Sequence, residues 1–342
     1  MLYNEAYVPL IGSKHPRLMG HNPLEMFPDF WEYFASVIQQ MSKTGQTATE
    51  EATRLLMERH GFLEETFFTW KLIPIIGDEG TFLGVYGTAE DLTTTVIGER
   101  RTSCIRNLTQ RLASTNSFKD MWKMTMEGLA KNDWDIPFAL LCCDVQSLHP
   151  GTPPACRKVE VVGCLGVPQD HPLQTQVMDL DADFDTLSSA VREAVDHTRL
   201  TLISADDPDI AEFLTEINWG GCGIASKQLV VVPVNSGNNT SAALILGINP
   251  YRRYNSWYQQ FVEMISNVLG SSMSKLRLSK ELKYRAEIAV KNSRDFQRSE
   301  MRLSRFATRC PVGLSVTDLT GKVSSSKAKM DAKLTLLDYF RE

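Results

Sequence analysis

Between Lys275 and Arg305 the chain carries ten basic and four acidic residues, and neither proline nor glycine. A segment so charged cannot be buried on all sides, and nothing in it breaks a helix, so it reads as a long solvated helix. The helical pattern begins earlier, at Tyr254, and passes through Phe261, Ile265, Leu269, Leu276, Leu282 and Phe296. Its distal half fits a heptad in pieces. Leu282, Ala286, Ala289, Phe296 and Leu303 keep a 4,3 register, with Ser293 and Glu300 at two seam positions, as in a weak coiled coil. The compact part of the chain is therefore expected ahead of this helix. Behind it, "RCPVGLSVTDLTGKV" is an apolar segment closed by a Thr-Gly turn, which reads as the first strand of a further domain.

A length of 342 residues suits two domains. An apolar fraction of 43% lets both bury cores. With 36 basic and 41 acidic residues the net charge is −5, which leaves no electrostatic footprint for nucleic acid. No apolar run approaches the ~20 residues of a membrane helix. Met1 to Leu10 holds Asn4 and Glu5 where a signal peptide needs an apolar centre, so a cytoplasmic chain with no membrane partner is expected. Seven cysteines without a CxxC pair point to reduced thiols.

Two units precede the helix, both of the α+β class. The first opens with a strand-like "LYNEAY" and continues as a helix from Pro23 to Gln40, with Leu24, Phe27, Trp31, Phe34 and Ile38 on one face. Three extended segments follow: Thr47 to Arg59, Glu65 to Ile76 and Thr81 to Leu92, joined by a His60-Gly61 turn and a "GDEG" turn. In the middle one Phe68, Trp70 and Leu72 alternate with Phe67, Thr69 and Lys71, the period of a strand with one face on a core. The second unit opens at a capping box of Ser117 and Asp120, with Phe118, Met121, Trp122, Met126 and Leu129 on one helix face. Strands are expected at Phe138 to Val145, Val159 to Val167, Arg199 to Ser204, Gln228 to Val234 and Ala242 to Ile248. A helix from Phe184 to Asp196 precedes the third, and "HPGTPPAC" and "VPQDHPLQ" read as loops.

"LYNEAY", the "GSKHP" turn, "ETFFTWKLIPI" and "GTAEDLT" together resemble a PAS domain of the kind found at the front of bacterial and fungal hybrid sensor histidine kinases. "ALILGINPYRRYNSWYQQFVEMISNVLGSSM" is similar to the end of the GAF-like domain that follows it in those proteins. The resemblance implies a PAS domain over 1–95 lacking its first strand, a GAF-like domain over 101–270, a signalling helix over 271–305, and the truncated start of a second PAS domain over 306–342 with a divergent tail. It further implies a homodimer that works with the kinase and receiver domains of a phosphorelay. The ligand-binding candidates are Tyr3, Asn4, Tyr7, Trp70, Cys222 and Arg252, with the cofactor left open.

Catalysis is not expected of this chain alone. A phosphoacceptor histidine in that family is followed by Glu or Asp, whereas the six histidines here precede Pro16, Asn22, Gly61, Pro150, Pro172 and Thr198. No DxGxG-type ATP lid is present either. A flavin photoadduct needs a cysteine in the PAS part, and none precedes Cys104. His15, His21 and His60 fall in loops or turns, where a surface histidine is the ordinary reading and a haem ligand the special one. Cys156, Cys164 and Cys222 are candidate bilin thiols without a neighbouring histidine, so structural thiols are expected. The "GGCG" around Cys222 resembles the reactive loop of GAF-type free methionine sulfoxide reductases, which keeps a thiol reductase as one alternative and a ligand-free scaffold as another. Arg252 and Arg253 could clamp an anion; solvating the helix start is the expectation, since a helix N-terminus repels arginine.

Overall fold

Proline and glycine set the breaks of the N-terminal third in the computed structural model, which describes residues 1–144, 157–182, 185–236 and 239–309. The strand expected at "LYNEAY" is instead a 3-10 turn, Glu5–Tyr7, running into α1 (Val8–Ile11). Pro9 explains the correction: it has no N–H for a ladder and fits the first turn of a helix, where none is needed. The helix expected from Pro23 to Gln40 is two helices, α2 (Pro23–Met26) and α3 (Pro28–Thr44). They part at Phe27, whose φ of −136° and ψ of 58° lie outside the α region, as the clash with a following proline requires.

Strands β1 (Ala48–Arg59), β2 (Phe62–Ile76) and β3 (Phe82–Asp91) form an antiparallel sheet in sequence order. His60 and Gly61 join the first two with φ of 54° and 81°, the left-handed pair that a two-residue hairpin demands. Phe68 and Trp70 lie in a core with Met57, against which Phe30, Phe34 and Val37 of α3 pack. Trp70 meets the rings of Phe34 and Tyr33 edge-on, with centroids 5.4 and 6.1 Å away. The alternation read in the sequence therefore named the right face. Phe67 and Glu65 on the opposite face are buried as well, which the alternation did not indicate.

α4 (Thr93–Ala113) starts two residues after β3, with Thr93 N–H donating to Asp91 Oδ1. α5 (Phe118–Leu129) begins at the expected capping box: Ser117 Oγ accepts from Asp120 N–H at 3.1 Å and donates to Asp120 Oδ2 at 2.7 Å. The next elements are β4 (Phe138–Asp144), β5 (Lys158–Leu165), β6 (Val177–Asp179), α6 (Thr186–His197), β7 (Thr201–Ser204), α7 (Pro208–Phe213), β8 (Gln228–Ser236) and β9 (Asn239–Gly247). The strands form one antiparallel sheet ordered β6-β5-β4-β9-β8-β7. The expected strands of this unit correspond to β4, β5, β7, β8 and β9. β6 and α7 are too short for periodicity to reveal.

Both faces of the second sheet are covered because its central strands are apolar at successive positions. On one side Leu141, Val232 and Leu244 pack on α4, α5 and the proximal half of α8 (Ser256–Arg309). On the other, Leu140, Val231 and Ile245 pack on α6 and on Trp219. Asn255 caps α8, its Oδ1 accepting from Tyr258 N–H at 3.0 Å. Gly270 lets α8 lie against β8, since a Cβ there would stand 2.2 Å from the Asn235 carbonyl oxygen.

Residues 1–276 make one compact unit, and residues from Arg277 belong to a second. The described part of the second is the distal stretch of α8, where Leu278, Leu282, Tyr284 and Phe296 are exposed. The Leu303 side chain, Cys156, the "HPGTPPAC" loop and the strand expected after Arg309 lie outside the described residues. Among the described residues no helix is long and apolar enough to cross a membrane.

Candidate functional site

Charged side chains are buried or nearly so at three places: Glu64-Glu65 entering β2, Arg100-Arg101 on α4, and Asp135 after α5. The fold brings all three together. A buried ion is unfavourable unless paired and hydrogen-bonded, so the pairing must be close. Arg100 Nη1 and Nη2 donate to Glu65 Oε1 and Oε2 at 2.7 and 3.0 Å, and its Nε donates to Asp135 Oδ2 at 2.8 Å. Arg101 donates to Asp135 Oδ1 from Nε and Nη2, at 3.1 and 2.9 Å. Glu65 and Asp135 have fully buried side chains. Burial pushes the Asp135 carboxyl up, but the charges and hydrogen bonds of Arg100 and Arg101 more than reverse this and hold it below 3.8.

The segment after β9 closes the site. Asn249 Nδ2 donates to Glu65 Oε2 at 3.0 Å, and Asn249 Oδ1 accepts from Tyr251 N–H at 2.8 Å. The Tyr258 hydroxyl, in the first turn of α8, accepts from Asn249 N–H at 3.1 Å and donates to the Asp135 carbonyl. Rings of Trp257, Tyr258 and Phe261 surround the Arg101 guanidinium, with centroids 4.8, 4.2 and 5.3 Å away. Such stacking compensates a cation taken out of water. Glu65 N–H donates to the Tyr251 carbonyl at 3.1 Å. One buried network thus joins β2, α4 and the start of α8.

Arg252 does not solvate the helix start. Its Nη1 donates to Glu64 Oε1 at 2.7 Å and to the Glu65 carbonyl at 3.2 Å, because β2 supplies two acceptors that outweigh the unfavourable helix dipole. Glu64 is also paired with Arg59 Nε at 3.2 Å. Arg253 stays exposed, as expected of an arginine beside a helix start, with its guanidinium donating to the His60 carbonyl at 2.5 Å and lying over the Phe62 ring at 4.9 Å.

The other candidates are dispersed. The Tyr3 and Tyr7 rings meet at a 37° tilt with centroids 5.8 Å apart, and the Tyr3 hydroxyl meets His15 Nδ1 at 3.1 Å; Asn4 is exposed. Trp70 sits in the first sheet's core. Only Cys222 and Arg252 approach the network. Cys222 Sγ donates to the Trp134 carbonyl at 3.3 Å and lies 3.7 Å from Asn249 Oδ1. Burial, with Glu65 next, pushes its thiol up to about 12, the reverse of what a nucleophilic cysteine needs. Cys164 is half-buried in β5 and its thiol is raised by burial. His15, His21 and His60 are exposed, in keeping with the surface reading. Among the described residues no cluster of three His, Cys, Asp or Glu could hold a metal.

Glu65, Arg100, Asp135 and Asn249 were not singled out from the sequence. The signal available was slight: Glu64-Glu65 stand directly before the apolar "TFFTW", whereas Arg100-Arg101 follow Glu99 and precede Thr102 and Ser103 in a polar stretch.

No protein-family model matches the chain. No curated protein matches its sequence. Among solved structures it is similar to the GAF domain of a phosphoenolpyruvate-protein phosphotransferase from Coxiella burnetii, at 9% identity and a TM-score of 0.40, over 54% of this chain and 98% of that one. The phycocyanobilin-bound GAF domain of a cyanobacterial phytochrome matches at 16% identity and a TM-score of 0.37, over 52% of this chain and 96% of that one. The fRMsr of Staphylococcus aureus, in complex with substrate, matches at 15% identity and a TM-score of 0.33, over 50% of this chain and 94% of that one.

Proposed function

We propose that the chain is a noncatalytic sensory module in which a PAS-like first part and a GAF-like second part act together on a C-terminal output helix. The observation that carries this reading is the Tyr258 hydroxyl. It sits in the first turn of a 54-residue helix and is hydrogen-bonded both to the Asp135 carbonyl and to Asn249, whose side chain holds Glu65 of β2. A change that favours one packing of the first sheet reaches the helix through a handful of directional contacts, and a packed junction answers in steps and not in gradations. In the finer form of the proposal the module is the input half of a hybrid sensor histidine kinase. It pairs in parallel through 271–305 and passes its state to a phosphorelay. Thiol reduction at Cys222 has no support from the surroundings of that thiol.

The test is hydrogen exchange in Tyr258→Phe, which deletes one hydroxyl and leaves the ring. Amides of 277–309 are expected to exchange at rates changed several-fold from the unmodified chain. A change confined to residues before 277 would sink the transmission reading, because the junction would then be felt only locally.

A further inference from the structure

We propose that the cleft between the β1–β2 turn and the start of α8 is a binding site for a small anion bearing phosphate or carboxylate groups. The cleft has a volume of about 240 Å³ and is lined by His60, Phe62, Glu64, Arg252, Arg253 and Asn255. Two arginines adjacent in sequence line one small space, and the hydrogen-bonding capacity of neither is used up. The Nη1 of Arg252 is taken by Glu64 and the Glu65 carbonyl; among the described residues nothing accepts from its Nε or Nη2. The Nη2 of Arg253 donates to the His60 carbonyl, and its Nε and Nη1 are likewise without an acceptor among the described residues.

Planar guanidinium donors in a fixed fork match the paired oxygens of a carboxylate or phosphate. The Arg252 fork is already oriented by its carboxylate, so little of its side-chain entropy remains to be lost on binding, while the exposed Arg253 rests on the Phe62 ring. The one acid of the lining does not cancel them. Two arginines against Glu64 leave the lining at +1 before His60 is counted, and Glu64 is also paired with Arg59. The volume is below the ~300 to 1,000 Å³ of drug-sized ligand sites, which points to a small phosphate ester or a short dicarboxylate.

An anion held there shares Arg252 with Glu64, beside Glu65 and the Asn249 contact. The consequence for the output helix rests on the sensory reading above, whereas the binding itself does not.

Isothermal titration with sodium phosphate, pyrophosphate and succinate, each against sodium chloride of equal ionic strength, separates phosphate from carboxylate recognition. Saturable binding of at least one anion is expected, weakened tenfold or more in Arg253→Gln and partly retained in Arg253→Lys. It should be unchanged in Arg285→Gln, which removes an exposed arginine of the distal helix. Circular dichroism of each variant verifies that it is folded. The proposal is overturned by the absence of saturable binding for all three anions up to about 50 mM, or by equal binding in Arg253→Gln and Arg285→Gln. The hydrogen-exchange outcome for Tyr258→Phe stands apart from either result.

Discussion

Replacing Glu65 by glutamine keeps the side chain's shape and removes its charge, at a position with no solvent to compensate. Oε1 accepts from Arg100 Nη1 and lies 3.4 Å from Arg54 Nε, while Oε2 accepts from Arg100 Nη2 and Asn249 Nδ2. Both oxygens face donors only. Whichever way the new amide is turned, its NH2 group points at a guanidinium or an amide N–H, so at least one charge-assisted hydrogen bond is lost, worth about 1.5 to 3 kcal/mol. Arg100 also loses one of its two counter-ions. Breaking a buried pair from one side costs about 3 to 5 kcal/mol, and because Asp135 still pairs with Arg100 the lower end, about 3 kcal/mol, is expected. At roughly 2 to 4 °C per kcal/mol for a unit of this size, the thermal midpoint should fall by about 6 to 12 °C. The assay is a far-ultraviolet circular dichroism melt at pH about 7, with Glu127→Gln beside it. Glu127 pairs with Arg111 at 3.1 Å but is 44% exposed, and its loss should shift stability by less than about 1 kcal/mol. A Glu65→Gln midpoint equal to that of Glu127→Gln would refute the burial of the network.

The acid limb of stability tests Asp135. Its carboxyl is held below the ordinary value of 3.8, so the stability it contributes is present above that pH and lost as pH falls through the lower folded value. Asp135→Asn should therefore be less stable at neutral pH and show a shallower fall below about pH 4, and parallel acid limbs would remove the ionic role. Thiol accessibility tests Cys222. With its thiol pushed up to about 12, iodoacetamide at pH about 8 should leave Cys222 unmodified in the native protein and label it after denaturation, as read by peptide mass spectrometry. Rapid native labelling would restore thiol chemistry as a reading.

Features legible in the sequence are those decided by residues close together along the chain. The helix from Ser256 to Arg309 was visible because its residues suit a helix and its middle lacks proline and glycine. The hairpin at His60-Gly61, the Ser117 cap and the buried face of Phe68 and Trp70 were visible for the same reason: each is a rule over two to five residues. Pro9 shows a local rule underweighted, since it turned the expected N-terminal strand into a helical turn. The junction belongs to another class. Arg100 is 35 residues from both Glu65 and Asp135, and Asn249 is 184 residues from Glu65. No periodicity connects such positions. Arg252 gives the sharpest contrast: helix electrostatics alone sends it into solvent, yet Glu64, distant in sequence and adjacent in space, draws it inward. A buried charge is permitted only where the fold delivers its partner, and that delivery is decided by how β2, α4 and the start of α8 pack.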